Sequence, residues 1–170
     1  MILIVSSLAQ YGKTGYLAII VVTISLVIPI MSDTGNLFKR MSDSEETPTQ
    51  FISRAFSYFN QKSNAQLNGL SSRPFFITIG TNTRLFDGYG DAINFDEIKK
   101  DGWVSTQINQ MKLIYEEKQS ALISVDFSRM NSSGIEYSAT LGQYLLVRHD
   151  NLWKLKGAFF LGGLSLGVRK

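Results

Sequence analysis

Apolar positions recur along this chain with three different periods, and the periods follow one another in order. Residues 16–31 (YLAIIVVTISLVIPIM) are apolar almost without interruption, carry no charge and are polar only at Thr23 and Ser25. From Thr47 the spacing becomes helical, with Ile52, Ala55, Phe56 and Phe59 at the 3, 4 and 7 intervals of one helix face. Beyond Trp103 it becomes a strict alternation, in which Ile123, Val125 and Phe127 share one strand face and Ser124, Asp126 and Ser128 the other.

The boundaries of the elements follow from capping and turn chemistry. Thr47-Pro48-Thr49-Gln50 is a capping box with proline in the first turn, and it opens the helix that carries Phe56 and Phe59. A short second helix over residues 64–70 ends at Ser71-Ser72-Arg73-Pro74, where proline biases Arg73 toward extended backbone. Strands over 75–79 and 83–86 flank the turn Gly80-Thr81-Asn82. Asn94 caps a third helix over 95–100 that buries Phe95 and Ile98 and stops at Asp101-Gly102, and Gly88-Tyr89-Gly90 reads as a turn. Strands over 106–116, 121–130, 135–148 and 152–160 are joined by turns short enough for antiparallel hairpins, with a further edge strand at 164–168. Helices followed by an antiparallel meander form an α+β architecture in which the apolar helix face is buried only against the concave side of a curved sheet.

The N-terminal segment raises a separate question. As a helix, residues 16–31 reach roughly 24 Å, slightly short of a hydrocarbon core of about 30 Å. A signal peptide needs a small-x-small cleavage site that MSDTGN does not offer, so an uncleaved single-pass anchor is the better reading. The competing expectation is a cytoplasmic chain whose native start is Met31 or Met41. Lys13 on one side against Lys39 and Arg40 on the other leaves the orientation open. The organisation expected is an apolar segment over 1–31, a polar linker over 32–46 and a folded domain over 47–170. Gly12-Lys13-Thr14 imitates the end of a phosphate loop, but Ser7 stands where its first glycine belongs and no amphipathic helix follows.

Composition then removes whole classes of chemistry. The 170 residues include no cysteine and one histidine, which excludes disulfides, thiolate metal sites and Cys nucleophiles, and no cofactor is expected. A net charge of +3 from scattered residues names no nucleic-acid partner. His149 sits between Arg148 and Asp150 in a hairpin turn, a solvated position rather than a catalytic one. Lys154 and Lys156 alternate with Trp153 and Leu155 and read as one strand's water-facing side.

Gly102-Trp103, the strand Val125-Asp126-Phe127-Ser128-Arg129 followed by Asn131 and Gly134, and Tyr144-Leu145-Leu146-Val147 before Trp153-Lys154-Leu155 together resemble the SnoaL-like, or nuclear transport factor 2-like, superfamily, in its uncharacterised bacterial branch. The resemblance covers about residues 47 to 162 and implies a cone-shaped sheet wrapped on the helices, with a pocket at its open end and a homodimer formed through the convex face. On that basis Phe56, Phe59, Trp103, Tyr115, Phe127 and Tyr144 are expected near the pocket, although aromatic residues at these spacings more often simply fill a core. Enzymes of this fold use a general base in an apolar pocket, and the acids available are Asp126 and Asp91. Alternation puts Asp126 on the convex face, and Asp91 falls in a loop. No catalytic residue is therefore assigned. The expectation is a non-enzymatic module that binds a small apolar ligand or dimerises. The alternatives are an isomerase, cyclase or lyase using a pocket acid and a tyrosine, and a membrane-anchored assembly module held by residues 16–31.

Overall fold

Thr47 begins the first helix in the way its neighbours demand. In the computed structural model, which describes residues 45–161, helix α1 (Pro48–Asn60) opens with a reciprocal pair: the Gln50 amide donates to Thr47 Oγ1 at 3.2 Å and the Thr47 amide to Gln50 Oε1 at 2.9 Å. Its buried face holds Phe51, Ile52, Ala55, Phe56 and Phe59. The apolar segment at 16–31, most of the linker and the edge strand expected at 164–168 lie outside the described residues. Among the described residues no helix is long and apolar enough to cross a membrane.

Helix α2 (Asn64–Leu70) leads into β1 (Ser71–Ile79) and β2 (Asn82–Phe86), and helices α3 (Tyr89–Ala92) and α4 (Phe95–Lys100) follow. The long strands β3 (Ser105–Glu116), β4 (Ser120–Met130), β5 (Glu136–His149) and β6 (Leu152–Phe160) form the expected antiparallel meander. Asp150 and Asn151 turn β5 into β6 with φ of 50° and 62°, the left-handed backbone that Asp and Asn tolerate and two-residue hairpins need. The sheet order is β2-β1-β6-β5-β4-β3, so the sheet curves around α1 without closing and leaves β2 and β3 as its edges.

Two features depart from the sequence expectation. The sheet is not wholly antiparallel, because β1 pairs with β6 in parallel, bringing Ile77 beside Ala158. Nothing in either strand encodes this pairing. The stretch read as a turn at Gly88-Tyr89-Gly90 is instead the start of α3, held by three side chains from α2 and its exit. Asn64 Nδ2 donates to the Gly90 carbonyl at 2.6 Å, Asn68 takes the Asp91 amide at 3.0 Å, and Ser71 Oγ takes the Tyr89 amide at 2.8 Å.

One further clamp fixes α1 to the sheet. Asn60 donates through Nδ2 to the Thr106 carbonyl at 2.9 Å and accepts the Thr106 amide on Oδ1 at 2.8 Å, so an edge-strand residue finds its backbone partners in a helix. Beside it, Trp103 stacks on Phe95 and meets Phe59 edge-on, with ring centroids 5.7 and 5.4 Å away.

The approach of α3 to α2 is close enough to require glycine. A Cβ at Gly90 would lie 2.1 Å from the Asn64 carbonyl oxygen, a backbone atom that cannot swing away, whereas a Cβ at Gly69 meets nothing within 4 Å. Gly90→Ala is therefore expected to destabilise the fold by at least about 1–3 kcal/mol, and Gly69→Ala, in the helix α2, to stabilise it by up to about 1 kcal/mol. Thermal unfolding of the two variants checks this, and equal shifts would refute the close packing.

Candidate functional site

Helix α1 occupies the concavity of the sheet but does not fill it. A cavity remains between Ala55, Phe56 and Phe59 of α1, Tyr89 of α3, Thr106 of β3, Phe127 and Arg129 of β4, and Tyr144 of β5. Its empty space is about 340 Å³ with the open mouth included, and the unobstructed room within it is roughly what one water needs. The walls are mainly aromatic. Phe56 meets Phe127 and Tyr144 edge-on at 5.4 and 5.8 Å, and Phe59 stacks on Tyr89 at 6.3 Å.

Four polar side chains interrupt that surface, and each is placed by a specific element. Tyr89 is aimed inward by the start of α3, whose amide rests on Ser71 Oγ, itself donating to the Leu67 carbonyl at 2.9 Å. Tyr144 comes from the inward-facing positions of β5 and shares a hydrogen bond with Tyr89. Thr106 accepts the Trp103 indole N–H on Oγ1 at 2.9 Å while Asn60 holds its backbone. Arg129 is only 2% exposed and continues the inward series Ile123, Val125, Phe127 along β4.

Burial governs the electrostatics. It pushes the phenols of Tyr89 and Tyr144 well above their ordinary value of 10.0, against the opposing pull of the Arg129 charge. Both hydroxyls therefore keep their protons at neutral pH and face the cavity as hydrogen-bond donors as well as acceptors.

The residues singled out from the sequence separate into three groups. Phe56, Phe59, Phe127 and Tyr144 line the cavity. Trp103 stands one layer behind, against Phe59 and Phe95. Tyr115 is far from it: β3 shifts register between Leu113 and Tyr115, the strand from Lys112 to Glu116 is exposed throughout, and Tyr115 itself is 49% exposed.

Neither acid lines the cavity. Asp126 points to the opposite sheet face, near Asn109 Nδ2 at 3.5 Å, in a polar cluster where Ser128 Oγ donates to Glu136 at 2.5 Å. Asp91 is exposed and accepts from Asn68 Nδ2 at 2.9 Å, a link between α2 and α3. His149 is the exposed last residue of β5, at the edge of the predicted turn and 3.5 Å from Asp150. Lys154 and Lys156 donate to the carbonyls of Gly69 and Pro74, which ties β6 to the segment entering and beginning β1. Among the described residues, no cluster of His, Asp and Glu is arranged to hold a metal ion.

Sequence reasoning passed over Tyr89, Thr106 and Arg129. Arg129 carried a usable signal, since it has the same parity on β4 as Phe127. Tyr89 carried none, because α3 is a single turn whose position depends on contacts from Asn64, Asn68 and Ser71.

No family model and no curated protein matches the sequence. Solved structures do match its fold. A nuclear transport factor 2-like protein of unknown function from Pseudomonas putida superposes with a TM-score of 0.57 at 8% identity, covering 74% of this chain and 90% of that one. A nuclear transport factor 2-like protein with a cystatin-like fold from Novosphingobium aromaticivorans gives 0.54 at 14%, covering 81% and 94%. A protein described as a putative ketosteroid isomerase from Shewanella frigidimarina gives 0.51 at 10%, covering 69% and 97%. At these identities the likeness establishes the fold alone. The open six-stranded sheet wrapped around α1 thus has the α+β cone fold of the nuclear transport factor 2-like structures it superposes on.

Proposed function

We propose that this domain is a small-molecule-binding module whose ligand enters the open end of the cone, and that it does not work by general-base catalysis. One observation supports the reading above the others. Among the described residues, none that lines the cavity is a carboxylate or a histidine, while the walls are aromatic and a few polar groups converge on the space. Such a lining is what ligand sites generally offer, apolar area for affinity and a few placed donors for orientation. A base that removes a proton must be within hydrogen-bond reach of it, and both Asp126 and Asp91 are engaged elsewhere.

The test is a titration of the full-length chain with benzoate, benzamide and indole, followed by NMR shifts of the residues lining the cavity. At least one compound is expected to bind saturably with shifts at Ala55, Phe127 and Tyr144. Ala55→Met, which puts a flexible side chain into the space, should abolish those shifts while the unfolding temperature stays within a few degrees. Binding that survives Ala55→Met would place the ligand somewhere else.

The same phenols make stability depend on alkaline pH. A phenol whose native value is raised holds its proton in the folded state while the unfolded chain releases it above about pH 10, its ordinary value. The contribution is complete below that pH and is lost as pH climbs toward the native values. Denaturant midpoints are expected to fall as pH rises above about 10, and Tyr144→Phe should flatten the fall.

A further inference from the structure

The way into the cavity is narrow. Among the described residues, none of the eight side chains that line it is more than 8% exposed, and the unobstructed room between them is roughly what one water needs. A ring-sized ligand therefore enters only when part of the wall gives way, and the parts of the wall are held very unequally. Phe127, Arg129 and Tyr144 stand on β4 and β5, interior strands hydrogen-bonded along both edges, and Thr106 on β3 is clamped by Asn60. Ala55, Phe56 and Phe59 belong to the 13-residue α1, whose apolar face is buried. Moving any of these breaks a ladder or uncovers the core.

Tyr89 is held differently. Its element, α3, is a single turn of four residues whose start is tied to its neighbours by side chains. Ser71 Oγ and Asn68 Oδ1 accept the amides of Tyr89 and Asp91, while Asn64 Nδ2 donates to the Gly90 carbonyl and Asn68 Nδ2 to the Asp91 carboxylate. Both Asn68 bonds are exposed, where water replaces them at little cost. Gly88 and Gly90, on either side of Tyr89, have no side chain of their own to withdraw from the core, whereas Ala92 and Ile93 at the other end are fully buried. The turn thus has a lightly tied start and an anchored end, and the Tyr89 ring favours the closed position by packing on Phe59 and Phe75 at 6.3 and 5.2 Å. Resting on the small-molecule reading above, we infer that α3 is the gate of the cavity: its start swings out with Tyr89 to admit the ligand and closes again over it, and Asn68 is the latch.

Amide hydrogen exchange and NMR line shapes on the full-length chain test the gate, with indole as the probe. In the wild type the Tyr89 and Asp91 amides should exchange faster than those of Phe127 and Tyr144. Asn68→Ala removes two of the ties without altering a residue of the cavity wall, and should speed exchange at Tyr89 and Asp91 about threefold or more while Phe127 and Tyr144 keep their rates. The association and dissociation rates of indole should rise together by a similar factor, leaving its affinity nearly unchanged, which a merely structural role for Asn68 would not produce. Should Asn68→Ala loosen the whole fold, Asp91→Ala, which removes only the exposed carboxylate link, decides the matter by the same readouts. Exchange at Tyr89 and Asp91 as slow as in β4 and β5, or indole rates indifferent to the variant, would overturn the gate and leave the small-molecule reading intact. Failure of indole, benzoate and benzamide to bind in the cavity would overturn that reading, and the exchange rates would still judge the opening of α3 by themselves.

Discussion

The concave face of an open, curved sheet has to be covered, and in this domain a single helix does most of the covering. That constraint orders the other features. Helix α1 presents Phe51, Ile52, Ala55, Phe56 and Phe59 because the facing strands present Ile123, Val125, Phe127, Tyr144 and Leu146, all of them buried. The seat is set at its C-terminal end, where Asn60 satisfies both backbone groups of Thr106 and the Phe59, Phe95 and Trp103 rings interlock. Helix α1 therefore cannot slide along the sheet without stranding hydrogen bonds on an edge strand. The cavity is what a helix held in that position leaves uncovered.

How far the sequence discloses this depends on whether the deciding contact is local. Capping at Thr47, the helical spacing of Phe56 and Phe59, and the alternation along β4 are local, and they predict α1, the meander and the inward direction of Phe127. The parallel pairing of β1 with β6 joins residues about eighty apart and has no local signature. Tyr115 misled for a related reason. Parity holds along an unbroken strand, and β3 carries two register shifts before reaching it. On β4 the parity is uninterrupted from Ala121 to Phe127 and onward to Arg129, so the position of that cation was legible. An arginine near a strand end is ordinarily assigned to solvent, which is why it was passed over.

The buried arginine and the displaced acids belong to one account of the chemistry. Alternation sends Asp126 to the outer face with Ser128 and Asn109. The same rule, applied one step before and three steps after, sends Val125 and Arg129 inward. The cone thus has an apolar interior with a positive charge and phenolic donors, and an outer face that carries the carboxylate.

Desolvating a guanidinium costs several kcal/mol, and well-packed apolar side chains of similar volume commonly serve stability as well or better. Packing alone therefore gives no reason for a cation at residue 129, where a methionine or leucine would continue the series set by Ile123, Val125 and Phe127. The neighbours on the cavity wall are neutral phenols, a hydroxyl and aromatic rings, and burial keeps the phenols neutral in spite of the charge beside them.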